Sequence, residues 1–231
     1  MYLFYTKNIF NKILSTEESK HCIFSLRKKK GEKILLTEGK GVIYSARIQQ
    51  IIKNQVQYQD LKTLEVNNKK LKSHIVISPP KNRLRFEWFL EKATEIGVDF
   101  ITPIICENSI RTKLNQERCE KILISAMKQS KNSFLPTINN LIKFEDLIVN
   151  PFTNTYIAHC HSQNLNYLNK SILNLKNHNQ ITLFIGPEGD FTKKEINLAE
   201  TAGIVPVKLG NQILRTETAG IVGCTIINML T

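Results

Sequence analysis

Two short segments near the carboxyl terminus carry the residue types that a ligand site needs. The first, Ile185-Gly186-Pro187-Glu188-Gly189-Asp190-Phe191-Thr192, directly follows an apolar run. Glycines on either side of Pro-Glu permit a sharp turn and let a ligand come close to the backbone. The second, Leu209-Gly210-Asn211-Gln212-Ile213-Leu214-Arg215-Thr216-Glu217-Thr218-Ala219, joins a strand-like stretch to a helix-like one. There Thr216 is placed to cap the helix, and Glu217 sits at its positive end. Loops at the carboxyl ends of parallel strands are where such sheets bind ligands. The same letters also read as two surface turns with ordinary caps. Neither a GxxxxGK[ST] cradle nor a GxGxxG fingerprint occurs, so ATP hydrolysis and dinucleotide redox chemistry find no support.

Other clusters point elsewhere. Arg27-Lys28-Lys29-Lys30 is the densest basic run. With 32 Lys+Arg against 20 Asp+Glu the chain carries +12 over 231 residues, mostly as lysine, which suits a polyanionic partner: nucleic acid or an anionic membrane. His159-Cys160-His161 has metal-ligand residue types, but neighbours on a strand face opposite ways, so no metal site is expected. The five cysteines are scattered without a CxxC pair, which fits buried free thiols in a reducing cytosol. The start, Met1-Tyr2-Leu3-Phe4-Tyr5, lacks a secretory pattern, and the apolar stretch Ala219–Leu230 is too short to span a membrane. A cytoplasmic protein is expected.

The elements that must position these residues fall into two sections. Residues 1–71 contain short β-like runs, Lys33–Thr37, Val42–Ile48 and Ile51-Ile52, with Glu38-Gly39-Lys40-Gly41 as a turn, and read as a small β-barrel. The polar stretch 67–73 marks the boundary. Residues 72–231 alternate strands (75–77, 101–105, 155–158, 181–185, 205–209) with helices (86–96, 118–130, 193–202, 217–230). Thr192 and Glu195 form a capping box. Alternation of this kind predicts an α/β fold with a parallel sheet covered on both faces.

The stretches IGPEGDFTKKE and LGNQILRTETA, in that order, resemble the paired signatures of the RsmE family of ribosomal RNA methyltransferases in the knotted SPOUT superfamily. Arg85 to Val98 resembles that family's "KatELGV" helix, and Ile101-Thr102-Pro103-Ile104 the strand after it. Ala126, Gln129 and Pro136 match part of a third block, and His21 with Leu26-Arg27, Gly31-Glu32 and 38–41 resembles its RNA-binding barrel. Two departures stand out: Asn108 and Asn132 occupy positions where the family usually carries arginine.

The resemblance implies a PUA-like barrel (1–71) and a trefoil-knotted SPOUT domain (72–231), working as a homodimer. It implies S-adenosyl-L-methionine as cofactor, held by Ile185, Gly186, Glu188, Gly189, Leu209, Gly210, Ile213, Leu214, Thr216 and Ala219, mostly through backbone groups. It implies methyl transfer to N3 of a uridine in 16S rRNA of the small ribosomal subunit, with Arg215 and Glu217 in charged roles beside the base, Glu217 accepting a proton or orienting Arg215. RNA contacts fall to Arg27, Lys28, Lys29 and Lys30. Methylation of a ribose 2′-hydroxyl or another base, and an RNA-binding protein without catalysis, are the rival readings.

Overall fold

The computed structural model describes residues 2–149, 152–162, 164–173 and 179–230. The chain divides into two compact units, one of residues 1–68 with 124–135, the other of 69–123 with 136–231. That division differs from a single cut after residue 71, because a distant segment joins the first unit. Gly41 N donates to Ser133 O at 2.9 Å and Leu135 N to Gly39 O at 2.9 Å. Asn67 Nδ2 also donates to Ser133 Oγ at 3.0 Å. Periodicity within residues 1–71 carries no trace of these contacts.

In the first unit, β1 (Leu3–Tyr5), β2 (Lys33–Thr37), β3 (Val42–Ile52) and β4 (Gln55–Val66) form a sheet in that order. β1 pairs parallel to β2 and the other pairs are antiparallel. Ile51-Ile52 is the end of β3 rather than a strand of its own. β1 and β4 escape the reading of short runs; β4 is mainly polar, with Val56 and Tyr58 the residues it buries. Alternation places Ile34, Leu36, Ala46, Ile48, Val56 and Tyr58 on one face, where they pack with Phe4, Ile9, Leu14 and Cys22. Tyr58 donates to Ile9 O at 2.8 Å, and burial pushes its phenol up to about 12. α1 (Thr16–Lys20) is capped by the Ser15 side chain, and a π-helical turn, His21–Ser25, follows it.

The second unit is built on a parallel sheet of β5 (Lys72–Ile77), β6 (Phe100–Ile105), β7 (Thr137–Ile138), β8 (Ile142–Lys143), β9 (Thr155–Ala158), β10 (Gln180–Ile185) and β11 (Val205–Val207). The order is β11-β9-β10-β5-β6-β7, with β8 also on β6. β5 begins inside the polar stretch read as a boundary. Neighbouring residues on the central strands serve opposite faces. Val76 and Phe184 pack with Phe144 of α4 (Phe144–Ile148) and with Ile196 and Ala199 of α6 (Lys193–Thr201). On the other face lie α2 (Arg83–Ile96) and α7 (Thr216–Asn228). A Cβ on Gly220 would meet Phe89 at 2.6 Å and Ile77 at 3.1 Å, and one on Gly223 would meet Leu183 at 2.2 Å. These glycines let α7 lie close to α2 and the sheet. α3 (Gln116–Ser130) and α5 (Leu168–Leu173) complete the helices. α3 starts two residues before the expected position, and the division between the units falls within it.

The capping box forms as read: Thr192 Oγ1 accepts from Glu195 N at 3.2 Å, and Thr192 N donates to Glu195 Oε2 at 2.8 Å. Four cysteines are buried free thiols, but Cys160 is exposed, against expectation, because β9 ends before it. Among the described residues no helix is long and apolar enough to cross a membrane.

His74 of β5 is buried among Thr102, Thr182, Phe100 and Phe152; its Nε2 lies 2.7 Å from Thr102 Oγ1. Burial lowers its pKa to about 4 from 6.5. A histidine depressed in the folded state contributes stability that is full above pH 6.5 and is lost as pH falls towards 4. The shift corresponds to roughly 3 kcal/mol across that window. Denaturant midpoints between pH 7 and 4 should therefore fall less steeply in His74→Gln than in the parent; parallel curves would refute the assignment.

Candidate active site

The sheet order reverses at β5. The chain leaves β5 towards β6 on one side, and β10 later fills the place on the other side, between β5 and β9. The crevice beyond the carboxyl ends of such a pair is the usual ligand site of an open parallel sheet. Loops 78–82 and 186–191 emerge there together. Ser78 N donates to Ile185 O at 3.0 Å, continuing the ladder past both strands. Lys81 N donates to Glu188 Oε1 at 2.9 Å.

The second glycine-bearing segment arrives at the same place. Thr216 Oγ1, buried, donates to Gly186 O at 3.0 Å. This differs from the expected cap: Arg215 is the N-cap residue without a side-chain cap bond, and Thr216 is the first helical residue. Its hydroxyl ties α7 to β10 instead of satisfying its own helix. Glu217 does sit in the first turn of α7, where the helix dipole favours an acid. Its Oε1 lies 3.6 Å from Arg85 Nε of α2, and its Oε2 is buried without a hydrogen-bond partner. Arg85, not Arg215, is thus its neighbouring cation.

The remaining predicted residues spread around this point. Ile185 ends β10 and is buried, as is Gly186, while Glu188 and Gly189 are exposed. Leu209, Gly210, Leu214 and Ala219 are half-buried, Arg215 is exposed, and Ile213 is 84% exposed. The left-handed residue of the first loop is Asp190, at φ 60°, rather than either glycine. Gly186 is needed for packing, since a Cβ there would lie 3.0 Å from the Phe191 ring. Asp190 binds the loop end, with Oδ1 accepting from Phe191 N at 2.8 Å and Oδ2 from Cys160 N at 2.8 Å.

Residues 159–161 follow β9 rather than continuing it, so the strand geometry used to separate them does not apply. His161 N donates to His159 Nδ1 at 3.2 Å, and His161 Nε2 lies 2.8 Å from Phe191 O. Burial holds His159 below the usual imidazole range.

The basic run belongs to the other unit. Arg27, Lys29 and Lys30 are exposed, and Arg27 takes a left-handed φ of 52°. Lys28 is paired with Glu32 at 2.6 Å, which holds that carboxyl below its usual range. Phe24, on the π-helical turn just before the run, is 61% exposed. Neither Phe24 nor Arg85 is marked by local sequence: one looks like a core aromatic, the other like a solvated helix charge.

The RNA methyltransferase domain model matches residues 67–228, and the RNA methyltransferase PUA domain model matches residues 14–60. The chain is 30% identical to the ribosomal RNA small subunit methyltransferase E of Synechocystis over 89% of this chain and 68% of that one. This chain belongs to the ribosomal RNA small subunit methyltransferase E family. A Borreliella burgdorferi relative, named methyltransferase E 2, is likewise 30% identical, over 86% of this chain and 83% of its own. Among solved structures, a probable rRNA-methyltransferase from Porphyromonas gingivalis superposes with a TM-score of 0.87 at 34% identity, covering 100% of this chain and 98% of that one. The Neisseria gonorrhoeae methyltransferase E bound to S-adenosyl methionine gives 0.85 at 27% identity, with the same coverage.

A buried carboxylate oxygen without a partner costs stability, on the order of 1–3 kcal/mol. Glu217→Met should therefore raise the thermal midpoint of the ligand-free protein by a few degrees, while Arg85 stays hydrated. A lowered midpoint would mean that the carboxylate is a net structural contributor.

Proposed function

We propose that this family member transfers the methyl group of S-adenosyl-L-methionine to N3 of a uridine in 16S rRNA, with the cofactor held where the 186–191 and 209–215 segments meet. The observation that carries this reading is the Thr216 hydroxyl on the Gly186 carbonyl, which fastens the two segments to one point of the sheet. The residues present suit that group. The orphaned Glu217 Oε2 is a buried acceptor, and the cofactor brings cationic and N–H donors. Gly186, Glu188, Gly189, Leu209, Gly210 and Leu214 supply backbone at the rim, and Ile213 an apolar side chain. The sulfonium, when bound, supplies an already activated methyl group, so the protein is left with positioning and electrostatics.

A neutral uracil N3 carries a proton and has no lone pair free for attack, so the chain must hold a base out of its stack and favour loss of that proton. Arg215 is exposed at the N-cap of α7, free to place its guanidinium against developing negative charge on the ring. Glu217 is positioned at the same helix start, with Arg85 beside it. A second protomer placed against the half-exposed face of α7 belongs to the same reading, as does a trefoil knot formed by the segment after β11.

The barrel-like unit is proposed to hold RNA through Arg27, Lys29 and Lys30, with Lys28 partly spent on Glu32. Phe24 beside them offers a ring for a base to stack on.

Methylation of purified small subunits, followed by mapping of the modified atom, tests the reaction; a methyl on a ribose oxygen would exclude it. Arg215→Ala should lower turnover by ~100-fold or more, the scale of losing one charge-stabilising donor, with cofactor affinity little changed. Unchanged turnover removes Arg215 from the mechanism. Phe24→Ala should weaken RNA binding by roughly 5- to 150-fold, the equivalent of one stacked base. Equal affinity of parent and variant in a filter-binding titration would discard the platform.

A further inference from the structure

The loop after β6 is not one of the two glycine-bearing segments, yet two of its side chains reach the loops on either side. Asn108 Nδ2 donates to Gly189 O at 3.1 Å and to Asp190 O at 3.0 Å. Arg111 donates from Nε to Pro80 O at 3.1 Å and from Nη2 to Lys81 O at 2.6 Å. Lys81 in turn donates its amide to Glu188. The loop that carries both residues is itself fixed, because Ser109 Oγ accepts from Cys106 N at 2.8 Å and lies 2.8 Å from Ser78 Oγ. The bonds close a circuit: residues 108–111 grip 189–190 directly, and grip Glu188 through 80–81.

We propose that Asn108 and Arg111 are positioning residues that preorganise loop 186–191 for the cofactor; the inference rests on the cofactor reading above. Asp190 holds a left-handed φ of 60°, a conformation that is unfavourable for a non-glycine residue and is held by its surroundings. One amide group on two consecutive carbonyls supplies that constraint. Gly189 makes room for it, since a Cβ there would already lie 3.3 Å from Asn108 Cβ. On the other side, the planar fork of Arg111 binds two consecutive carbonyls at once, which an ammonium cannot reproduce. Among the described residues Arg111 makes no ion pair, so its hydrogen bonds go to backbone rather than to a carboxylate. At residue 108, where the resembling family usually carries arginine, the shorter amide serves the loop.

The test compares the full-length parent with Asn108→Ala, Arg111→Met and Arg111→Lys. Titration calorimetry with S-adenosylmethionine should give affinities weaker by about 5- to 150-fold for Asn108→Ala and Arg111→Met, the scale of 1–3 kcal/mol for buried or charged hydrogen bonds. Arg111→Lys should recover only part of the loss. RNA affinity and turnover at saturating cofactor should stay within about twofold, a range below the scale of a single lost hydrogen bond. In the ligand-free protein, hydrogen exchange at Asp190 and Phe191 should accelerate in Asn108→Ala. Cofactor affinities within twofold of the parent, or a loss confined to RNA binding as for a phosphate contact, would overturn the assignment. Should the parent bind no S-adenosylmethionine, the functional reading falls and the cofactor role of these residues with it; unchanged exchange in Asn108→Ala with a parent that does bind refutes the positioning role alone.

Discussion

The site depends on β10 being buried between β9 and β5. A central parallel strand must satisfy both its hydrogen-bonding edges and both its faces, and β10 does so with Ile181, Leu183 and Ile185 alternating with Thr182 and Phe184. Its placement sets the loop after it beside the loop after β5 and leaves one carbonyl, Gly186 O, within reach of Thr216. Everything proposed about the cofactor is downstream of that contact. The glycines of α7 serve it indirectly: without the close approach at Gly220 and Gly223, the first turn of the helix would stand away from the sheet.

Stability is given up at the same point. Glu217 is buried with one oxygen unpartnered and its cation at 3.6 Å, too long for a hydrogen bond. Among the described residues of this unit His159 Nε2 is also buried without a partner, whereas His74 is partnered by Thr102 and Lys69 by Asp99. The proposed cofactor role accounts for a buried acid kept at this cost beside the crevice.

Some of the 32 lysines and arginines behind the net charge of +12 are held in ion pairs. Arg83 and Arg118 share Glu87, whose carboxyl the Arg118 guanidinium holds below its usual range. Lys92 lies between Glu91 and Glu95, and Lys128 pairs with Glu18. What is left exposed in the basic run is Arg27, Lys29 and Lys30, on a turn that also presents Phe24. Charge beside an open aromatic ring is the combination that single-stranded nucleic acid exploits.

How much of this was legible follows the range of the forces involved. Local rules reach a few residues, so the Thr192–Glu195 capping box and the strand β9 could be read from the chain, as could the two glycine-bearing segments. The resemblance of those segments to a family supplied the chemistry. Long-range pairing was not legible. Nothing in residues 1–71 announces that Ser133 and Leu135 bond to Gly39 and Gly41, and nothing near Thr216 says that its hydroxyl will leave its own helix for Gly186. Asn108, a departure from the family pattern on paper, becomes a clamp on Gly189 and Asp190 only once β6 and β10 have been placed in one sheet. By itself the sequence determined which residues turn, cap and bury. The tertiary structure decided which of those ends meet, because hydrogen bonds across 30 to 100 residues are set by sheet order, and sheet order is a property of the whole packed core rather than of any segment.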